Sequence, residues 1–199
     1  MKGLPRRLVV GTKNPGKLRE VRAVLAKVLP EVKIAEDLDW PDVVESGETL
    51  EENALIKARA VCAATGVAAI ADDTGLEVAA LGGGPGVRSA RYAGPDGDDA
   101  ANRRALLYAL EGCSDRKARF RTVVAVVSPG GDEVTVEGIL EGAVAPVERG
   151  GGGFGYDSLF EIGDRTLAEL GEGEKNRLSH RGRALRALAG LYLGEPDLQ

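Results

Sequence analysis

Ile70-Ala71-Asp72-Asp73-Thr74-Gly75 is the stretch from which the rest of this chain is read. The apolar run Val67-Ala68-Ala69-Ile70-Ala71 has the composition of a short buried strand, and it runs into two adjacent carboxylates. A hydroxyl and a glycine follow, residue types that favour a turn. The expectation is a strand that ends at Asp72-Asp73. Neighbouring carboxylates repel each other, so folding alone gains nothing from the pair. Two readings are open here. One is a solvated Asp-Asp turn. The other is a site for a hard cation such as Mg²⁺, which takes oxygen ligands from one or two carboxylates and from a substrate's phosphates.

Upstream, Arg7 to Thr12 is a β-branched run and reads as the first strand. Lys13-Asn14-Pro15-Gly16 breaks it. Lys17 to Leu29 then carries Leu18, Val21, Val24, Leu25, Val28 and Leu29 at helical spacing. Gly11-x-x-x-x-Gly16-Lys17 nearly matches a phosphate-binding P-loop, but Leu18 replaces the Ser or Thr that would ligate Mg²⁺. A glycine loop before a helix N-terminus still favours phosphate, through backbone N–H groups and the positive end of the dipole. Thr12, Asn14 and Lys17 are therefore candidate phosphate donors, with the metal held elsewhere. An ordinary βα turn with an exposed lysine is the plainer alternative.

Val32-Lys33-Ile34 reads as a second strand. Thr49-x-x-Glu52 is a capping box that opens a helix running to about Ala64 and closed by Gly66. Thr49, Asn53 and Lys57 recur every four residues on one face of it, and Leu50, Ala54, Ala58 and Val61 line another. Such a polar stripe is ordinarily solvent-facing; it carries meaning only if it points at the Asp pair. Glu45, just before this helix, is the natural third carboxylate for a metal.

Downstream, Asp99 to Glu111 reads as a helix with Leu106, Leu107 and Leu110 inward. Phe120 to Val127 and Glu133 to Leu140, joined at Pro129-Gly130-Gly131-Asp132, read as an antiparallel hairpin. Gly150-Gly151-Gly152-Gly153-Phe154-Gly155-Tyr156-Asp157 surrounds an aromatic ring with glycines, so backbone and ring can both reach a planar ligand. Ser179-His180-Arg181 contains the sole histidine and opens a final helix with Leu185, Leu188, Leu191 and Tyr192 inward. A single histidine is more often structural than catalytic, but here donors could converge on a carbonyl.

With 199 residues the chain suits one domain with a sizeable core. A net charge of −5 argues against a general nucleic-acid binder while leaving room for a local basic pocket. Cys62 and Cys113 have neither disulfide-framework nor metal-ligand spacing. The start of the chain is too poor in apolar residues for a signal segment, and no run approaches membrane-spanning length. The expectation is a cytoplasmic α/β protein with a mixed sheet flanked by helices and no membrane partner.

Taken together, several motifs resemble the non-canonical purine nucleoside triphosphate pyrophosphatase family, also called the inosine triphosphatase or Ham1-like family. They are Thr12-Lys13-Asn14-Pro15-Gly16-Lys17, Glu45-Ser46-Gly47 leading to Glu52-Asn53-Ala54 and Lys57, Ala71-Asp72-Asp73-Thr74-Gly75-Leu76, Pro85-Gly86-Val87-Arg88-Ser89-Ala90-Arg91-Tyr92, Gly153-Phe154-Gly155-Tyr156-Asp157, and Ser179-His180-Arg181. Their order covers nearly the whole chain. The resemblance implies an elongated, two-lobed single domain with a central cleft, usually homodimeric. It also implies Mg²⁺-dependent hydrolysis of inosine, deoxyinosine and xanthosine triphosphates to the monophosphate and pyrophosphate. By that resemblance Asp73 is the general base, and Glu45 and Asp73, helped by Asp72, hold the metal. The segment Thr12 to Lys17 (Lys13, Pro15 and Gly16 included) binds substrate with Thr74 and Lys175, and Phe154, Gly155, Tyr156 and Asp157 with His180 and Arg181 hold the base. Ser158 stands where proline is usual, which is expected to loosen its loop.

The chemistry then expected is water attack at the α-phosphorus, with Lys17, Lys57 and Lys175 stabilising developing charge. Arg181, a donor-only side chain, would favour a 6-keto purine over adenine. A pyrophosphatase for modified pyrimidines and a non-catalytic nucleotide sensor are the two alternatives.

Overall fold

The computed structural model describes residues 5–95 and 97–194. Most of the opening stretch judged too polar for a leader, residues 1–4, lies outside them. The chain divides into two compact units. The first holds residues 5–73, 122–138 and 180–194, and the second holds residues 74–121 and 139–179.

In the first unit β1 (Arg7–Val10) leads through α1 (Pro15–Val28) to β2 (Lys33–Ile34), and α2 (Leu50–Thr65) leads to β3 (Ala69–Val78). β1 pairs in parallel with β2 (Leu8↔Ile34) and with β3 (Val10↔Ile70), so β1 lies between them. Strand order reverses at β1, and ligands of open parallel sheets bind beyond the carboxyl ends at such a point. β5 (Lys117–Val127) and β6 (Glu133–Val144) continue the order beyond β3, and their distal halves lie in this unit. The five residues from Ser128 to Asp132 join them, with Gly131 N donating to Ser128 O. α5 (His180–Leu193) packs against α1. Leu8, Val10, Val24, Leu25, Ile70, Val124, Leu185 and Leu188 form one buried cluster here.

The expected start and stop of α2 are in place, and α1 opens two residues earlier than expected. Thr49 and Glu52 form the capping box of α2, and Gly66 ends it with φ 66°, a left-handed conformation that suits glycine. Asn14 caps α1, accepting from Gly16 N and Lys17 N, with Pro15 in the first turn.

The second unit holds the rest of β3 with β4 (Pro85–Gly86), α3 (Asp99–Ala109), the proximal halves of β5 and β6, β7 (Phe160–Ile162), β8 (Arg165–Thr166) and α4 (Glu172–Leu178). Its core gathers Leu76, Val78, Leu106, Leu110, Phe120, Leu159 and Phe160, and the Phe120 and Phe160 rings lie 4.6 Å apart.

Two expectations change. β3 does not end at the Asp pair; it runs through Asp72, Asp73, Thr74 and Gly75 to Val78. Asp72 and Asp73 have partners on opposite faces, which offsets the repulsion between them, and Gly75, read as a turn residue, faces backbone. A Cβ there would stand 2.7 Å from Gly86 O, so glycine allows β4 to approach, not the chain to turn. Leu191 is 56% exposed and is not part of the core of α5, whereas Leu185 and Leu188 are buried.

Candidate functional site

Strand alternation separates the two carboxylates. Asp72 shares the face of Ile70, which packs with α1 and α5. Asp73 shares the face of Ala71, which approaches Gly11 beside Val61 of α2.

Around Asp73, Lys57 Nζ lies 2.9 Å from its Oδ1 and 3.3 Å from Glu45 Oε1. Asn53 is fully buried; its Nδ2 donates to Asp73 Oδ2 at 3.4 Å and its Oδ1 accepts from Gly47 N at 2.8 Å. The Glu45-Ser46-Gly47 segment is thereby seated on the first turns of α2, and Glu45 and Asp73 converge on one ammonium. Two members of the Thr49, Asn53, Lys57 stripe, Asn53 and Lys57, are buried and reach Asp73, while Thr49 stays exposed as the N-cap of α2. Burial pushes the Asp73 carboxyl above its ordinary value against the pull of Lys57 and Lys17, and Glu45 adds to the rise. Burial would lower Lys57, yet Asp73, Asp72 and Glu45 together raise it. Both values rise, for different reasons: Lys57 draws on three carboxylates, while Asp73 is desolvated and has a second carboxylate beside it.

Around Asp72, Arg181 donates from Nη2 at 3.1 Å and Nε at 3.3 Å, and Lys17 Nζ stands 3.1 Å away. Arg181 Nη1 also donates to Glu20 of α1. Burial opposes the charge on Asp72, but Arg181, Lys17 and Lys57 outweigh it and hold the carboxyl far below its usual range. Lys17 is lowered by burial and by Lys57 and Arg181, despite Asp72. His180, buried at the start of α5, has Nδ1 2.5 Å from Thr122 Oγ1 of β5.

Among the other residues of the phosphate-loop motif, Thr12 Oγ1 accepts from Asn14 N at 3.2 Å. Asn14 Oδ1 is engaged as the helix cap, and Lys13 is drawn away to Asp42 at 2.6 Å on the surface. Glu45 and Asp73 are brought together; Asp72 is set apart from them with its own cations. Among the described residues, no three Asp, Glu, His or Cys side chains gather into a ready metal cluster. Two carboxylate oxygens that already converge on one cation do fit a hard metal that completes its shell with water and phosphate oxygens.

In the second unit, which also contains Thr74, Lys175 is buried, with Nζ 2.7 Å from Asp157 Oδ2 and 4.9 Å from the centre of the Phe154 ring. Phe154 N donates to Asp157 Oδ2 at 2.8 Å, and Tyr156 donates from its hydroxyl to Ser89 O at 2.8 Å. A pocket of about 190 Å³ lies along Gly150 to Gly155. Asp99 Oδ2 accepts from Gly155 N, and Arg103 Nη1 donates to Gly155 O. Ser158 Oγ donates to Glu148 Oε2 at 3.0 Å, a tether that works against the loosening expected at this position.

The sequence reading missed Glu20, Thr122, Asp99 and Arg103. Each reaches its partner from a distant segment, and no local spacing announces that. Glu20 offered one clue, since it follows Lys17 by three residues and so shares its helix face.

Residues 8–191 match the Ham1 family. The chain belongs to the Ham1 family. A curated relative from Bacillus licheniformis, named dITP/XTP pyrophosphatase, is 48% identical over 92% of this chain and 96% of its own length. One of the same name from Syntrophobacter fumaroxidans is 50% identical over 91% of this chain and 79% of its own. Among solved structures, the Ham1 protein of Staphylococcus aureus superposes with a TM-score of 0.81 at 36% identity, covering 95% of this chain and 99% of that one. The Coxiella burnetii Ham1 protein gives 0.83 at 39% identity, covering 94% and 98%. The Ham1 fold is thus a mixed sheet flanked by helices, as the alternation of elements implied. No helix among the described residues is long and apolar enough to cross a membrane.

Proposed function

We propose that this chain is a nucleoside triphosphate pyrophosphatase that hydrolyses dITP, ITP and XTP to the monophosphate and pyrophosphate. The observation that carries the reading is the convergence of Glu45 and Asp73 on Lys57 beside the Asn14-capped phosphate loop. Curated relatives named dITP/XTP pyrophosphatase support the substrate class.

Glu45 and Asp73 would hold Mg²⁺. When bound, the metal neutralises triphosphate charge and lowers the pKa of its water. Asp73 accepts the proton of the water that attacks the α-phosphorus; a carboxyl raised by burial is a better base than an ordinary aspartate. Thr12 to Lys17 and Thr74 bind the triphosphate, and Lys17, Lys57 and Lys175 stabilise charge on the departing pyrophosphate. Phe154 stacks on the base, within the Gly155-Tyr156-Asp157 loop. His180 and Arg181 read the 6-keto oxygen, Arg181 as a donor-only side chain. We assign Asp72 to holding Lys17, and we expect a cytoplasmic homodimer with no nucleic-acid or membrane partner.

A pyrophosphate-release assay with Mg²⁺ tests this reading. dITP, ITP and XTP are expected to turn over well ahead of ATP, GTP and pyrimidine triphosphates, and Asp73→Asn is expected to abolish turnover while preserving the fold. ATP hydrolysed as fast as ITP, or an active Asp73→Asn protein, would overturn it.

A further inference from the structure

Gly155 is gripped by both of its backbone polar groups. Asp99 Oδ2 accepts from its N–H at 2.8 Å and Arg103 Nη1 donates to its carbonyl at 2.9 Å. Asp99 and Arg103 stand four residues apart on α3, so one face of that helix supplies both jaws. Gly155 has φ 61° and directly follows Phe154, so the grip falls where the backbone swings the ring into place. A second hold runs through Glu148, whose Oε2 pairs with Arg103 Nε at 2.9 Å and accepts from Ser158 Oγ at 3.0 Å.

The segment so held begins with four consecutive glycines, Gly150 to Gly153. Glycine loses more freedom on ordering than any other residue, and a loop ordered before the ligand arrives does not charge that loss to binding. A fixed Phe154 would therefore act on ground-state affinity for the base and leave the step at phosphorus alone.

We propose that Asp99 and Arg103 are positioning residues for base recognition, acting through Gly155 on the Phe154 ring. The proposal rests on the reading that this loop holds the purine.

The test uses the full-length protein with Mg²⁺ and dITP. Asp99→Ala and Arg103→Ala are each expected to raise KM roughly five- to tenfold with kcat within about twofold, the cost of ordering one loop on binding. Asp99→Asn keeps an acceptor oxygen and is expected to recover most of the loss. Inhibition by inorganic tripolyphosphate, which has no base, is expected to be unchanged. In a Phe154→Ala background, Asp99→Ala is expected to add less than about twofold, the non-additivity of two residues acting through one ring.

An unchanged KM in Asp99→Ala and Arg103→Ala, alongside a raised KM in Phe154→Ala, would overturn the proposal and leave the base-holding reading intact. An unchanged KM in Phe154→Ala would overturn the base-holding reading and this inference with it. Weaker tripolyphosphate inhibition in the α3 variants would make the contacts merely structural. Asp99 is exposed and Arg103 half-buried, so neither substitution opens the core.

Discussion

Arg181 Nη2 and Asp72 Oδ2 lie 3.1 Å apart, with their side chains only 2% and 3% exposed. The same guanidinium donates to Glu20, so one cation holds two carboxylates on two elements, β3 and α1. Removing one member of a buried pair leaves an uncompensated charge, typically at a cost of about 3–5 kcal/mol. Arg181→Met is accordingly expected to lower the urea midpoint sharply at an unchanged m-value. Arg181→Lys keeps the charge but loses the fork, so a smaller loss is expected together with a narrowed rate ratio of ITP to ATP. A variant that lost stability and kept the ratio would confine Arg181 to supporting Asp72.

The same pair sets an acid limit. In the folded chain Asp72 sits far below its ordinary value of 3.8, because Arg181, Lys17 and Lys57 together outweigh its burial. The folded form thus stays ionised where the unfolded form takes up a proton. Asp72 contributes stability that is fully present above the unfolded value and is lost as pH falls below it, toward the folded value. Urea midpoints measured from pH 5 down to about pH 3 are expected to fall more steeply for the unmodified chain than for Asp72→Asn, which starts lower and has no such group to titrate. Parallel slopes would show that Asp72 is not the source.

Gly138 supports the entry of α5. A Cβ built there would collide with His180 O and Ala184 N, both backbone atoms that cannot swing aside. Overpacking of this kind costs about 1–3 kcal/mol. Gly138→Ala is expected to lower the urea midpoint and to raise KM for ITP, since the first turn of α5 carries His180 and Arg181. A midpoint within error of the parent would mean that β6 yields at this point.

How much was legible follows from how local each signal is. The cap of α2 was readable because Thr49 and Glu52 act on N–H groups within three residues, whereas Asn14, read only as a phosphate donor, proves to cap α1. The Lys57 stripe was readable because helical periodicity alone places Asn53 and Lys57 on one face. The fate of Asp72 and Asp73 was not. The pair looked like a turn because its compensating cations, Lys17, Lys57 and Arg181, come from three other segments. β7 and β8 also escaped notice: three and two residues are too few to establish alternation. The hold of Asp99 and Arg103 on Gly155 spans more than fifty residues and needed coordinates.

Thr122 offers a test of the histidine. It is fully buried in β5, with Oγ1 2.5 Å from His180 Nδ1, and this contact fixes which face of the imidazole turns away from the strand. Thr122→Val keeps the shape and removes the hydroxyl, so Nδ1 loses this buried partner at a cost of about 1–3 kcal/mol. Thr122→Ser restores the hydroxyl and should recover most of that loss. If His180 reads the base, Thr122→Val is also expected to raise KM for ITP several-fold, with tripolyphosphate inhibition unaffected. His180→Ala is expected to raise KM at least as much and to make the Thr122 change silent in its background. Equal effects of Thr122→Val with and without His180 would show that the hydroxyl serves the strand and not the histidine.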